Sequence, residues 1–170
     1  IDMKVIVVSG TPGTGKTFLA KRLAKNLDFY YLDVNDFIGK NKLYESYDKR
    51  RKTKVVDIKK LNKFLIKEIK SLKNNTNQTK RFNGVIIDSH LSHYLPKKYV
   101  DFCIITKCAI KELSRRLKNK KYHQNKIQEN LQAEIFDICY NEAVERKHNI
   151  IAVDTTKGFN MNKILKQLGD

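Results

Sequence analysis

No apolar run in the 170-residue chain approaches the roughly 18 residues a membrane span needs; stretches such as Val5 to Val8 are far shorter. A membrane-spanning protein is therefore not expected. Cys103, Cys108 and Cys139 form no C-x-x-C pair, which removes the commonest metal-binding and redox spacings. An odd cysteine count, in a chain read as lacking a secretory leader, gives the expectation of reduced thiols serving as packing residues in an intracellular protein. No internal repeat is visible, and the only low-complexity stretch is the polar segment Asn74 to Asn83, read as a surface loop. Ile1 and Asp2 precede Met3 and are expected to be an appended stub.

Acidic residues are scarce. Asp and Glu number 18 against 35 Lys and Arg, leaving a formal charge of +17. Such a surplus points to an anionic partner: nucleic acid, ribosome or acidic protein. The same composition follows from AT-rich codons, which favour Lys, Ile and Asn together. Lysine far outnumbers arginine, the better residue for bidentate phosphate or base recognition, and this leans toward the compositional explanation.

The length suits one domain spanning residues 1–170. Continuous β-branched runs at Lys4 to Ser9, Phe29 to Leu32, Gly84 to Ile87, Phe102 to Thr106 and Ile150 to Val153 read as strands buried on both sides. Helical segments between them predict an α/β fold, a five-stranded parallel sheet with helices on both faces. Lys16 to Asn26 reads as helix. Ile58, Leu61, Leu65, Ile69 and Leu72 mark an amphipathic helix, with lysines on its other face. Ile127, Leu131, Ile135 and Ile138 mark a second long helix running to about Arg146.

Gly10-Thr-Pro-Gly-Thr-Gly-Lys-Thr17 fits G-x-x-x-x-G-K-[ST], with a predicted strand before it and a helix after it. By chance four fixed positions match in roughly one chain of this length in a hundred. The motif predicts a P-loop whose backbone N–H groups converge on nucleotide phosphates, so Gly10, Pro12, Gly13, Thr14, Gly15, Lys16 and Thr17 are the candidate ATP-binding residues. Lys16 would bridge β- and γ-phosphate oxygens and the Thr17 hydroxyl would ligate Mg²⁺. Gly84-Val-Ile-Ile-Asp88 delivers a carboxylate at the carboxyl end of a buried strand, and Asp88 is the second candidate for Mg²⁺. His90 follows two residues on, near enough to orient a water. His93 reads as an ordinary solvated or hydrogen-bonded loop histidine, and Ser89 beside His90 does not make a hydrolytic triad, whose members meet in space rather than in sequence.

These segments, with Leu43-Tyr44, Tyr47-Asp48, Val55-Val56-Asp57, Lys126-Ile127, Glu129-Asn130 and Glu134-Ile135-Phe136, resemble the adenylate kinase isoenzyme 6 type: small P-loop proteins that combine adenylate kinase or ATPase activity with assembly of the small ribosomal subunit. The resemblance covers most of the chain, and the spaced Asp-x-His with the Asn130 to Phe136 block is its specific part. It implies a nucleoside-monophosphate kinase-like fold, with a monophosphate lobe near residues 36–72 and a short lid near 119–125. ATP and Mg²⁺ are implied as cofactors, and His90 gains a role in hydrolysis. Arg116 matches a family arginine at the nucleotide, and Lys120 stands where a second is expected. Lys16, Asp88, His90, Arg116 and Lys120 are thus the catalytic candidates. Phe37-Ile38-Gly39-Lys40 replaces the stretch where the family carries an arginine for the monophosphate, and Lys49 to Lys54 is basic where relatives are acidic and longer.

AMP or another nucleoside monophosphate is the implied acceptor, with water the alternative. The implied partner is a ribosomal protein of the small-subunit platform, the eleventh in the universal naming, with an rRNA contact beside it. A location in the cytoplasm follows for an archaeon, and in nucleus and cytoplasm for a eukaryote. Glu129, Glu134, Asp137, Glu142 and Glu145 are expected to form an acidic patch for that partner. A nucleotide-dependent switch with slow turnover and a P-loop kinase for another small metabolite are the competing readings.

Overall fold

The structure is a computed structural model that describes residues 2–50, 53–74 and 82–169. In chain order the elements are β1 (Lys4–Gly10), α1 (Lys16–Leu27), β2 (Tyr30–Asp33), α2 (Val34–Lys40), β3 (Tyr44–Asp48), β4 (Thr53–Val56), α3 (Ile58–Asn74) and β5 (Gly84–Asp88). Two single 3₁₀ turns lead to β6 (Phe102–Lys107), α4 (Ile110–Asn119), α5 (Gln124–Ile135), α6 (Ile138–Glu145), β7 (Ile150–Asp154) and α7 (Met161–Leu168).

Five strands form one parallel sheet in the order β2-β5-β1-β6-β7, as the continuous apolar runs predict. Side chains alternate across it. Val5, Val7, Val85, Ile87, Cys103 and Ile105 point to one face and meet Leu61, Leu65 and Ile69 of α3 with Ala143 of α6. Ile6, Val8, Ile86, Ile104, Ile151 and Val153 point to the other and meet α1 and α7. Burying each of these aliphatic side chains stabilises by about 1.5–3 kcal/mol, so the two layers supply most of the driving force. The register sets Val8 opposite Asp88 and Gly10 opposite Thr106, which gathers the ends of three strands at one rim.

Two elements depart from the sequence reading. The expected single helix from Ile127 to Arg146 is two helices, because Asp137 sits in the left-handed region at φ 51° and ends one before starting the next. β3 and β4 pair antiparallel in a separate two-stranded sheet that, among the described residues, pairs with no other strand. The loop expected at Asn74 to Asn83 lies largely outside the described residues.

Candidate nucleotide site

Gly10 packs so closely on β6 that an added Cβ would lie 2.4 Å from Thr106 Oγ1. Gly13, at φ 93°, faces α4: a Cβ there would lie 2.8 Å from Leu117 Cδ2 and 2.9 Å from Leu113 Cδ1. These two leucines belong with Cys108 and Ile127 to a small third core that seats α4 and α5 above the sheet rim. The loop's glycines thus admit its conformation and the approach of α4 together.

Polar contacts brace the loop from below. Thr14 is turned inward, donating to the Thr11 carbonyl at 2.7 Å and lying 2.6 Å from Thr106 Oγ1, and Thr155 Oγ1 donates to the Thr14 carbonyl. Helix α1 starts at Gly15 with no side-chain cap and no acid in its first turn, so its leading N–H groups face outward with the positive end of the helix dipole.

Lys16 lies alongside, its ammonium donating to the Thr11 carbonyl at 3.2 Å. Burial pulls its pKa down to about 8, against the opposing pull of Asp88. Asp88 is 6% exposed at the end of β5 and accepts a 2.7 Å hydrogen bond from the Tyr31 hydroxyl. Burial and Asp88 raise the pKa of that hydroxyl. Thr17 and Asp88 offer only oxygen donors, and among the described residues no group of three or more His, Cys, Asp or Glu could cage a metal. That donor set fits Mg²⁺, a hard cation that completes its shell with phosphate oxygens and water. His90, two residues beyond the end of β5, is exposed; desolvation by neighbouring protein, with the nearby Lys16, His93 and Lys126, lowers its pKa.

Arg116 is placed differently from Lys120. Its guanidinium donates to Glu112 Oε1 at 2.9 Å and to the Thr155 carbonyl at 2.7 Å, with longer contacts to Thr155 Oγ1 and the Thr156 carbonyl. With its edge so engaged, the flat face is what it offers to a ligand. It borders a cavity of about 500 Å³ with Gly13, Gly15, Phe18, Thr155, Gly158 and Phe159. Phe18 is 61% exposed and meets Phe159 edge-on at 5.8 Å between ring centres. Lys120 also borders a second opening with Lys16, Thr17 and Lys21, over the loop itself. Sequence reasoning missed Tyr31, Phe18, Thr155 and Phe159. Only Phe18, an exposed aromatic just after the motif, left any trace.

The acidic patch expected on the second long helix does not form. Glu134 is 5% exposed, pairs with Lys107 and accepts from the Cys108 amide at 3.1 Å; Asp137 pairs with the same lysine, and Glu142 lies 3.4 Å from His93 Nε2. Three of the five acids are engaged by partners within the chain, although Asp137 itself stays exposed. His93 is buried, with Nδ1 2.7 Å from Ser9 Oγ. Glu142 calls for a donor at Nε2, so Ser9 donates to Nδ1. The three resemble a hydrolytic triad, but Ser9 is 0% exposed beneath the loop, and the set serves as a brace between β1 and α6.

The AAA domain family matches residues 6–137. The adenylate kinase isoenzyme 6 homolog FAP7 of Saccharomyces cerevisiae is 33% identical over 150 residues, covering 88% of this chain and 71% of that protein. The isoenzyme 6 homolog of Schizosaccharomyces pombe is 35% identical over 144 residues, covering 85% and 76%.

The chain belongs to the adenylate kinase isoenzyme 6 family.

This chain carries the P-loop between β1 and α1, and Asp88-x-His90 at and just beyond the end of β5. The fold is shared more widely. Shikimate kinase from Bacteroides thetaiotaomicron superposes with a TM-score of 0.56 at 15% identity, over 98% of this chain and 95% of that one. An adenylate kinase isoenzyme 6 relative with this rim is a P-loop phosphotransferase.

Proposed function

We propose that the chain transfers the γ-phosphoryl group of ATP to AMP or to water, Thr17 and Asp88 being the residues that would hold Mg²⁺. The observation that carries the reading is the uncapped start of α1 beside Lys16, with the Asp88 carboxylate held across the register from Val8. Loop amides and Lys16 hold the phosphates, and Lys120 approaches them from the end of α4. Arg116 is assigned to the base rather than to the moving phosphoryl group: its face and the rings of Phe18 and Phe159 form a site for a planar heterocycle. Bound Mg²⁺ supplies charge neutralisation at the phosphates. The acceptor oxygen bonds to the γ-phosphorus as the bond to the β-phosphate oxygen breaks, and His90, neutral in the cleft, orients the acceptor when that is water. Residues 36–72 serve as the monophosphate lobe and 119–125 as the lid.

Product analysis of Mg-ATP alone and with AMP, CMP, GMP and UMP tests this. ADP formed at twice the AMP consumed means transfer; phosphate released without AMP means hydrolysis; neither product overturns the reading. Lys16→Ala is expected to lose turnover and most affinity for a fluorescent ATP analogue, and His90→Ala to bind it normally while releasing phosphate at least tenfold more slowly, about 1.4 kcal/mol in barrier. Full phosphate release by His90→Ala removes that residue from the mechanism.

We also propose a role in small-subunit assembly through the platform ribosomal protein. Ile135, Phe136, Ile138 and Val144, each more than 40% exposed, cluster along α5 and α6 and favour an apolar docking contact in place of the acidic patch. Capture of that ribosomal protein is expected to persist at 0.5 M salt and to fall at least tenfold with Phe136→Asp. A contact abolished by salt and indifferent to Phe136 contradicts it.

A further inference from the structure

Helix α3 carries Lys59, Lys60, Lys63, Lys67, Lys70 and Lys73 against one acid, Glu68. Leu61, Leu65 and Ile69 are turned to the sheet, and at 100° per residue Lys59, Lys63, Lys67 and Lys70 stand within roughly 60° of the opposite direction. All four are exposed, and no acid among the described residues forms an ion pair with any of them. They line a shallow groove of about 530 Å³ whose only apolar member is Ile66. Tyr99 lies beside it, with Lys70 at 5.9 Å and Lys98 at 5.1 Å from its ring.

Like charges at three- and four-residue steps destabilise a helix, so the row is tolerated at a cost and stays unneutralised. Its face lies across the sheet from α1 and α7, on the side opposite the cavity at Phe18 and Phe159.

We propose that the outer face of α3 binds a nucleic-acid strand by its phosphates. Successive lysines rise about 6, 6 and 4.5 Å along the axis, spanning about 16 Å, so the row presents charge at repeated steps to a ligand that carries charge the same way. Lysine gives point contacts to phosphate without the fork that reads a base, so binding is independent of sequence. An acidic protein fits less well, since a stable protein interface needs an apolar centre and this face has one isoleucine. A membrane fits less well because the apolar side of α3 is committed to the core and has nothing to insert among lipid chains. The inference does not rest on the phosphotransfer reading; because these lysines lie within the stretch 36–72 assigned to the monophosphate lobe, phosphate release from ATP without AMP is the activity that separates the two.

The test is fluorescence anisotropy of the whole chain with a labelled 20-nucleotide oligouridine between 50 and 200 mM KCl. Changing Lys59, Lys63, Lys67 and Lys70 together to Gln preserves helix propensity. It is expected to weaken binding at least tenfold at 100 mM and to lower the slope of log K against log salt by about three. Removing equal charge elsewhere, with Lys25, Lys111, Lys163 and Lys166 changed to Gln, is expected to weaken binding less than threefold. Phosphate release from ATP without AMP is followed in both variants to report the nucleotide site, and circular dichroism to report the fold. Equal weakening by the two sets, or better competition by polyglutamate than by unlabelled RNA at equal charge, overturns the proposal.

Discussion

Tyr31 supports one of the two residues assigned to the metal. Its hydroxyl donates to Asp88 Oδ2 at 2.7 Å, so it fixes the carboxylate's orientation before a cation arrives. A hydrogen bond to a charged group contributes about 1.5–3 kcal/mol, part of which water recovers in this half-open cleft. Tyr31→Phe is therefore expected to raise the Mg²⁺ concentration for half-maximal nucleotide binding about three- to tenfold, with affinity in EDTA unchanged. Titration of a fluorescent ATP analogue at graded Mg²⁺ measures it, and an unmoved midpoint removes Tyr31 from the metal's support. Nothing in the sequence marked this residue, because its partner Asp88 stands 57 positions away and the two meet only through the pairing of β2 with β5. Lys16 and Asp88 were legible for the opposite reason: each is fixed by its own strand and turn. Arg116 was marked only through the family resemblance, and the hydrogen bonds that leave only its face available depend on Thr155 and Thr156, beyond the reach of local pattern.

At the scale of elements, the five core strands were readable because burial on both faces demands unbroken apolar runs, whatever the order in which the strands pair. The β3 and β4 hairpin was not, since four of the five residues of β3 are exposed and no apolar alternation marks it. The break between α5 and α6 was hidden by a helical period that continues through it. Asp137 makes that break with a left-handed backbone and a carboxylate paired to Lys107, whose pKa burial lowers but Asp137 and Glu134 together raise above normal. Asparagine adopts this backbone nearly as well as aspartate, whereas alanine is strained there by roughly 1–2 kcal/mol. Asp137→Ala is thus expected to be about 1 kcal/mol less stable than Asp137→Asn in urea unfolding. Equal midpoints and slopes for the two would show that the ion pair, rather than the backbone, sets the break.

Over the whole molecule, proton uptake couples stability to pH. Burial lowers the pKa values of His93 and His148 below the unfolded value, against a raising influence of Glu142 on the first and of the His93 carbonyl on the second. His148 donates from Nε2 to that carbonyl at 2.9 Å, and its buried Nδ1 has no partner. The unfolded chain takes up these protons first, so stability is highest above the ordinary imidazole value of about 6.5 and falls as pH drops through it. Urea unfolding is expected to show lower stability at pH 5 than at pH 7, with slopes up to about 1.4 kcal/mol per pH unit per proton. His148→Gln should flatten the curve, and the same fall in that variant would assign it elsewhere. The sheet order has a consequence for synthesis. β1, the middle strand, is made first, yet its neighbours begin at Gly84 and Phe102. At 5–20 residues per second, translating from Lys4 to Asp88 takes roughly 4–17 s, during which Val5 to Val8 cannot be covered on either edge, and the second edge waits further for β6. The nascent phosphate loop therefore cannot be held in shape until β6 has left the ribosome, and a chain stalled before Gly84 presents a strand bare on both edges for chaperones to hold.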